Sequence, residues 1–486
     1  MTQPLWTPSP ERVRRSNLAA FLRALRERGE TPAIAEGDYA ALHHWSVAQL
    51  ARFWEAAWED AGVQVSAHHS AVLTDTAMPP DRTQAERVWF PGARFNFAQH
   101  LLRFRDDHPA LVAEDEAGRR RTVTYRELAA LVGRCPGALR ALGVGVGDRV
   151  AGYLPNTVET VVAMLAATSL GAIWSSTSPD FGFQGVLDRF GQIDPKVLFC
   201  ADGYRYGGKV HDSLEKAAHL LQAIPSIERL VVVPFVESPV PHPPGSVTWE
   251  AFLEGQPDRE PDFPHFPFDQ PLYVLYSSGT TGAPKCIVHG AGGTLLKHHV
   301  ELKFHADLRR DDVLFYFTTC GWMMWNWLVS GLAQGCTLVL YDGSPGHPGP
   351  ERLFKLAQET GITVLGTSPK FLATVQKAGL VPKGAWPLPR LRTILSTGAP
   401  LEPNQFHYVY EAVKTDVQLA SIAGGTDLIG CFMLGNPFSP VYPGEIQGPA
   451  LGMDIAAFDP DGQPVVGRQG ELVCRQPFPS MPIFFW

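Results

Sequence analysis

The chain has 486 residues, 45% hydrophobic and 19% charged, a balance that excludes disorder over most of its length and allows roughly three compact units. Its formal net charge of −8 gives no overall electrostatic reason to hold nucleic acid or an anionic membrane, and neither is expected as a partner. The 7 cysteines are odd in number, widely spaced and without a C-x-x-C pair, which argues against a disulfide framework or zinc ribbon and for a reducing compartment.

The opening MTQPLWTPSPERVRRSN has no apolar core of a secretory signal. Residues 12–28 and 45–60 carry apolar positions near a 3.6 spacing and predict helices, and TAMPPDR (76–82) interrupts them. From about residue 110 strands and helices alternate. ALVAED and TVTY predict strands, 126–142 a helix, DRVAGYLP a strand, and 157–171 the next helix. The run 161–174, the most apolar long stretch, is too short to span a bilayer and reads as a buried helix. A soluble, cytoplasmic protein is the expectation. KVLFC, ERLVVVP, TLVLYDG, TVLGTSP and LRTILSTGAP predict five further buried strands, the pattern of α/β layers around parallel sheets. The Pro-rich stretch 239–271 reads as a loop between two lobes. After residue 441 short runs flanking a DPDG turn predict a small β subdomain.

The chemistry concentrates in YVLYSSGTTGAPKCIVHG (273–290). An apolar strand enters a loop of hydroxyls, glycines and one lysine, which is either a plain surface turn or a cradle for polyphosphate. Only two residues separate Gly279 from Gly282, so this is not the Walker A spacing. Y-S-S-G-T-T-G-x-P-K instead matches every specified position of the phosphate loop of the acyl-adenylate-forming superfamily, which includes acyl-CoA synthetases. STGAPLEP (396–403) resembles its adenine motif, and IAGGTDLIG (422–430) its Thr-acid motif, with Asp427 where Glu is usual. Late in the chain EIQGPALG keeps only part of the superfamily's glycine spacing, and QGELV matches well. LWTPSPERVRRSNLAAF (5–21), WFPGARFNFAQHLL (89–102), WSSTSPDFG (174–182), ADGYRYGGK (201–209) and CGWMMWNW (320–327) resemble, within it, the acetoacetyl-CoA synthetase family.

That resemblance implies an α/β fold: the large N-terminal domain of adenylate-forming enzymes, with two α/β subdomains over 101–440, a small β subdomain over 441–486 and a helical extension over 1–100. It implies two half-reactions: acetoacetate attacks the α-phosphorus of MgATP to give acetoacetyl-AMP, and CoA, a substrate, then displaces AMP. Ser277, Ser278, Gly279, Thr280, Thr281, Gly282 and Lys285 would hold the phosphates. Gly398, Ala399, Pro400, Ser421, Gly425 and Thr426 would surround adenine and the α-phosphate. Asp427 would help hold Mg²⁺, and Thr281, Lys285, Thr426 and Asp427 form the expected catalytic set. Trp322, Met323, Met324, Thr397 and Gly424 would line the acyl pocket. Gly424 stands where acetate-specific relatives have a Trp that closes the pocket, so a larger acid is expected; a plain backbone turn is the competing reading. Arg205 would meet the CoA 3′-phosphate, with Lys209 assisting, unless the loop is merely solvated and basic. The family continues beyond the position of Trp486 with a domain carrying a catalytic lysine, so the resemblance implies a truncated chain of impaired activity. A synthetase for propionate or butyrate and a non-catalytic nucleotide-binding remnant stay open as alternatives. The pairs His43-His44, His68-His69 and His298-His299 are sequence neighbours that point apart, so they predict no metal site. Trp322, Trp325 and Trp327 read as core, apart from the acyl-pocket place the resemblance gives Trp322.

Overall fold

Strands buried on both faces need continuous apolar runs, and the apolar runs of this chain become two such sheets in a mixed α/β fold. The computed structural model describes residues 3–80, 88–257, 260–277 and 282–486. Among the described residues, one sheet has the spatial order Gln418–Ser421, Thr393–Ser396, Val364–Thr367, Val313–Tyr316, Thr337–Asp342, Pro109–Asp115 and Arg120–Thr124. Neighbours are parallel except the last pair. The other has the order Val247–Thr248, Arg229–Val233, Val197–Ala201, Arg149–Tyr153, Ile173–Thr177, Pro271–Ser277, Lys285–Gly290 and Phe484–Phe485. It is parallel up to Pro271–Ser277 and antiparallel beyond. A separate antiparallel sheet of Ile455–Phe458, Pro464–Val465 and Glu471–Cys474 surrounds the DPDG turn.

The sheets meet at their carboxyl ends. The Asn156 N–H, just past Arg149–Tyr153, donates to Asp342 Oδ2 at 2.9 Å, at the end of Thr337–Asp342. Burial pushes the Asp342 carboxyl up to about 7, against the pull of that N–H. The Trp325 indole donates to Asn156 Oδ1 at 2.9 Å, and Ser176 Oγ donates to the Cys320 carbonyl at 2.7 Å. In open α/β sheets ligands bind outside the carboxyl ends of strands, so this crevice is where chemistry is expected.

Several elements differ from the sequence expectation. The helix predicted over 12–28 breaks at Ser16, which is extended (ψ 151°) and caps Asn17–Glu27 by accepting from Ala19 N; Pro10–Arg15 precedes it. The helix predicted over 45–60 divides at Gln49 into Tyr39–Ala48 and Leu50–Ala61. The apolar run 161–174 is not one helix. Val158–Ser169 ends at Gly171, whose φ of +73° suits glycine, and Ile173–Thr177 is a strand. The stretch 239–271 is largely irregular but holds Trp249–Leu253 as a helix and Phe266–Pro267 as a strand. All 7 cysteines are free, and no described helix is long and apolar enough to cross a membrane.

Candidate active site

Pro271–Ser277 and Lys285–Gly290 form a hairpin in which Ser277 faces Lys285 in register. Ser278, Gly279, Thr280 and Thr281, the tip of the expected phosphate loop, lie outside the described residues. Gly282 has φ +149° with open space where a Cβ would stand, and Lys285 is exposed. The loop therefore leaves from the carboxyl end of a parallel strand with its lysine free to meet a ligand.

A second lip comes from the other sheet. Thr393–Ser396 and Gln418–Ser421 run parallel with Ser396 opposite Ser421. Just beyond them Thr397 Oγ1 donates to the Ile422 carbonyl at 2.9 Å. Gly398 has φ +100°, a conformation that favours glycine, and Gly398, Ala399 and Pro400 are exposed beside it. Ala423–Gly425 then pairs antiparallel with Gly430–Leu434, with the tight turn Thr426–Leu428 between them. Asp427 is exposed on this turn. His289 Nε2 donates to the Thr426 carbonyl at 2.7 Å, and His289 lies on the strand that begins at Lys285. One hydrogen bond thus ties the lysine strand to the acid turn. Among the described residues no group of three or more His, Cys, Asp or Glu is placed to hold a metal ion. A lone exposed carboxylate suits Mg²⁺ delivered on ATP phosphates, because Mg²⁺ keeps several waters and takes only one or two protein carboxylates.

The helix Met323–Val329 begins with Met323 and Met324, both buried. Trp325 and Trp327 are core, as expected. Trp322 is not: it is 62% exposed at the helix start, an apolar surface left for a ligand or solvent. At Gly424 the geometry corrects the reasoning from a missing indole. A Cβ there would stand 2.1 Å from the Gly430 carbonyl oxygen and 2.6 Å from Cys431 Cα. The space beside Gly424 is filled by backbone, and the glycine serves the close approach of two strands.

Arg205 and Lys209 lie on the ribbon Gly203–Tyr206 and Lys209–Asp212. Arg205 is the register partner of Val210, and Tyr206 that of Lys209. Successive pairs face opposite sides of a ribbon, so the two cations do not converge on one phosphate. The ribbon's turn is anchored by Glu116, whose carboxylate accepts the N–H groups of Gly207, Gly208 and Ser344 at 2.9, 2.7 and 2.7 Å. Burial alone would raise the Glu116 pKa; the three N–H donors outweigh it and hold the group below the usual carboxylate range.

Sequence reasoning missed the support behind the acid turn. His298 Nε2 donates to the Ile429 carbonyl at 2.7 Å, which leaves Nδ1 to accept from Ser330 Oγ at 2.7 Å. His305 Nδ1 donates to the Gly435 carbonyl at 2.8 Å while Nε2 accepts from Leu451 N at 3.2 Å. Burial pushes both imidazoles down to about 3, so they are neutral at pH 7. His299 turns away to Asp60, 2.7 Å from its Oδ2, so the neighbouring pair does point apart.

The family model "AMP-binding enzyme" matches residues 97–482. The acetoacetyl-coenzyme A synthetase of Rhizobium meliloti (strain 1021) is 49% identical over 488 aligned positions, covering 100% of this chain and 73% of its own length. The acetoacetyl-CoA synthetase of Gallus gallus is 43% identical over 494 positions, covering 100% of this chain and 73% of its own. The solved acetoacetyl-CoA synthetase from Streptomyces lividans superposes with a TM-score of 0.93 at 44% identity, over 100% of this chain and 74% of that one.

Proposed function

This chain belongs to the AMP-binding enzyme family, and we propose from that premise that it is an acetoacetate-CoA ligase. The observation that carries the proposal is the joining of two distant motifs: His289 bonds the strand of Lys285 to the turn of Thr426 and Asp427, at the carboxyl ends of two sheets. Whole-chain similarity to acetoacetyl-CoA synthetases supports the choice of acid.

In this reading the carboxylate of acetoacetate attacks the α-phosphorus of MgATP, and the O–P bond to pyrophosphate breaks. Residues 277–282 and Lys285 surround the departing phosphates, and Lys285 supplies a mobile positive charge because its side chain is exposed. Gly398, Ala399, Pro400, Ser421, Gly425 and Thr426 hold the nucleoside and α-phosphate. Asp427 would help hold the Mg²⁺ that ATP brings, which would supply charge neutralisation at the phosphates. Met323 and Met324, with Trp322 and Thr397, face the acid. In the second half-reaction CoA thiolate attacks the acyl carbon and AMP leaves, with Arg205 on the CoA phosphate. Alignment of the reacting atoms supplies much of the acceleration in such sites. The division into 1–100, 101–440 and 441–486 belongs to the same proposal.

The test is pyrophosphate release from MgATP with acetoacetate, acetate, propionate, butyrate or no acid. The proposal expects release that depends on acetoacetate and exceeds that with the other acids. Faster release with propionate or butyrate would overturn the choice of substrate.

A further inference from the structure

Glu301 has no exposed surface, yet its carboxylate accepts two N–H groups and pairs with a buried ammonium. Oε1 accepts the Cys431 backbone N–H at 2.7 Å, Oε2 accepts the Trp327 indole N–H at 2.8 Å, and the equally buried Lys297 ammonium stands 3.3 Å from Oε1. Cys431 is the register partner of Gly424 in the hairpin that carries Thr426 and Asp427. Trp327 lies on the helix that begins with Met323 and Met324. A single carboxylate therefore grips the acid turn and the acyl-facing helix together. Gly430 makes room for this: a Cβ there would stand 2.6 Å from Glu301 Oε1 and 3.0 and 3.1 Å from Lys297 Cγ and Cε.

The grip is part of a ladder. From the strand Lys285–Gly290 and the helical turns after it, His289, His298, Glu301 and His305 reach Thr426 O, Ile429 O, Cys431 N and Gly435 O. Backbone groups of Thr426, Ile429, Cys431 and Gly435 are each held by a side chain from one continuous stretch of chain, residues 289–305. A fully buried ion pair is a poor source of stability, since desolvating both charges offsets most of their attraction, and apolar residues of similar volume often serve the fold as well or better. What the pair supplies that apolar residues cannot is a fixed acceptor for two N–H groups on two different elements.

We propose that Lys297 and Glu301 are positioning residues that set the Asp427 hairpin for the metal ion carried by ATP. The inference rests on the reading that Asp427 holds that ion. The test is calorimetric ATP binding in Mg²⁺ and in EDTA, together with AMP binding and the unfolding midpoint, for the unaltered chain, Asp427→Asn, the double variant Lys297→Met/Glu301→Gln, and Gly430→Ala. The double variant leaves no buried charge, so its fold is expected to persist. Gly430→Ala keeps both charges and pushes the hairpin away from them. Expected is a loss of about tenfold or more in the Mg²⁺-dependent gain in ATP affinity for all three variants, the scale of a lost hydrogen bond to a charged group. The gain is a ratio of two affinities of one variant, so a general weakening of nucleotide binding, which AMP reports because Gly425 and Thr426 also hold it, cancels from the gain. If Asp427→Asn loses the gain while either of the other two, folded, keeps it, the inference is overturned and the reading of Asp427 stands. If Asp427→Asn itself keeps the gain, the reading of Asp427 fails and takes the inference with it.

Discussion

Replacing Gly424 by Trp separates two accounts of this glycine. If it stood for a deleted indole, the substitution would fill a pocket and turn the preference from acetoacetate toward acetate. The structure gives a different answer. The Cβ of any residue at Gly424 would stand 2.1 Å from the Gly430 carbonyl oxygen and 2.6 Å from Cys431 Cα, both backbone atoms that cannot rotate away. The strand pair must open, which strains or breaks the contact between Gly424 and Cys431. Overpacking costs about 1–3 kcal/mol and one lost hydrogen bond about 0.5–1.5 kcal/mol, so destabilisation of about 2–4 kcal/mol is expected, roughly 30- to 1000-fold in the folded-to-unfolded ratio. Gly425→Ala is the control. Its φ of −178° is extended backbone, and its nearest neighbour is Oδ2 of the exposed Asp427 side chain at 3.4 Å, so a change within about 0.5 kcal/mol is expected. Urea unfolding of both variants measures the difference, and the acid panel follows on folded protein. A Gly424→Trp chain with an unshifted midpoint and a clear gain for acetate would refute the reasoning.

Acid should loosen the hairpin support. His298 and His305 are held at about 3 in the fold against an ordinary 6.5, so below pH 6.5 the unfolded chain binds more protons and stability falls as pH drops toward 3, by up to about 1.4 kcal/mol per pH unit for each. Urea midpoints equal at pH 7 and pH 4.5 would contradict this. Lys285→Ala should weaken MgATP binding in titration while leaving the unfolding midpoint in place, because the side chain is exposed and packs against no core. Arg205→Ala should raise the apparent KM for CoA, and Lys209→Ala should raise it much less, since the two face opposite sides of their ribbon; equal effects from both would count against the assignment.

The strands around Val197, Val231, Leu338, Leu365 and Ile394 were legible because short unbroken apolar runs between turn residues have few other fates. The hairpin carrying Lys285 was legible for the opposite reason, a run of hydroxyls and glycines too polar to be core. Ile173–Thr177 was hidden because its first residues prolong the apolar pattern of the preceding helix, and only the backbone at Gly171 marks the change. The break at Ser16 depends on a cap and on Asn17 N–H donating at 2.7 Å to Asp307, some 290 residues away, which no local window contains. Lys297 and Glu301 are four apart on a helical segment, the spacing of an ordinary surface ion pair. Nothing local says that the pair is buried under a hairpin. An uncommon density of histidines and charges over HGAGGTLLKHHVELKFH (289–305), within a stretch otherwise rich in small and apolar residues, was the one available signal.

A crevice built for acetoacetate should activate it in preference to other short acids. The most direct measurement is a competition: the chain with MgATP, CoA and equal concentrations of acetoacetate, acetate, propionate and butyrate, with acyl-adenylates and thioesters counted by mass spectrometry. Acetoacetyl products should dominate and vanish when ATP is withheld. Dominant butyryl or propionyl products, or acyl products that form equally well without ATP, would contradict it.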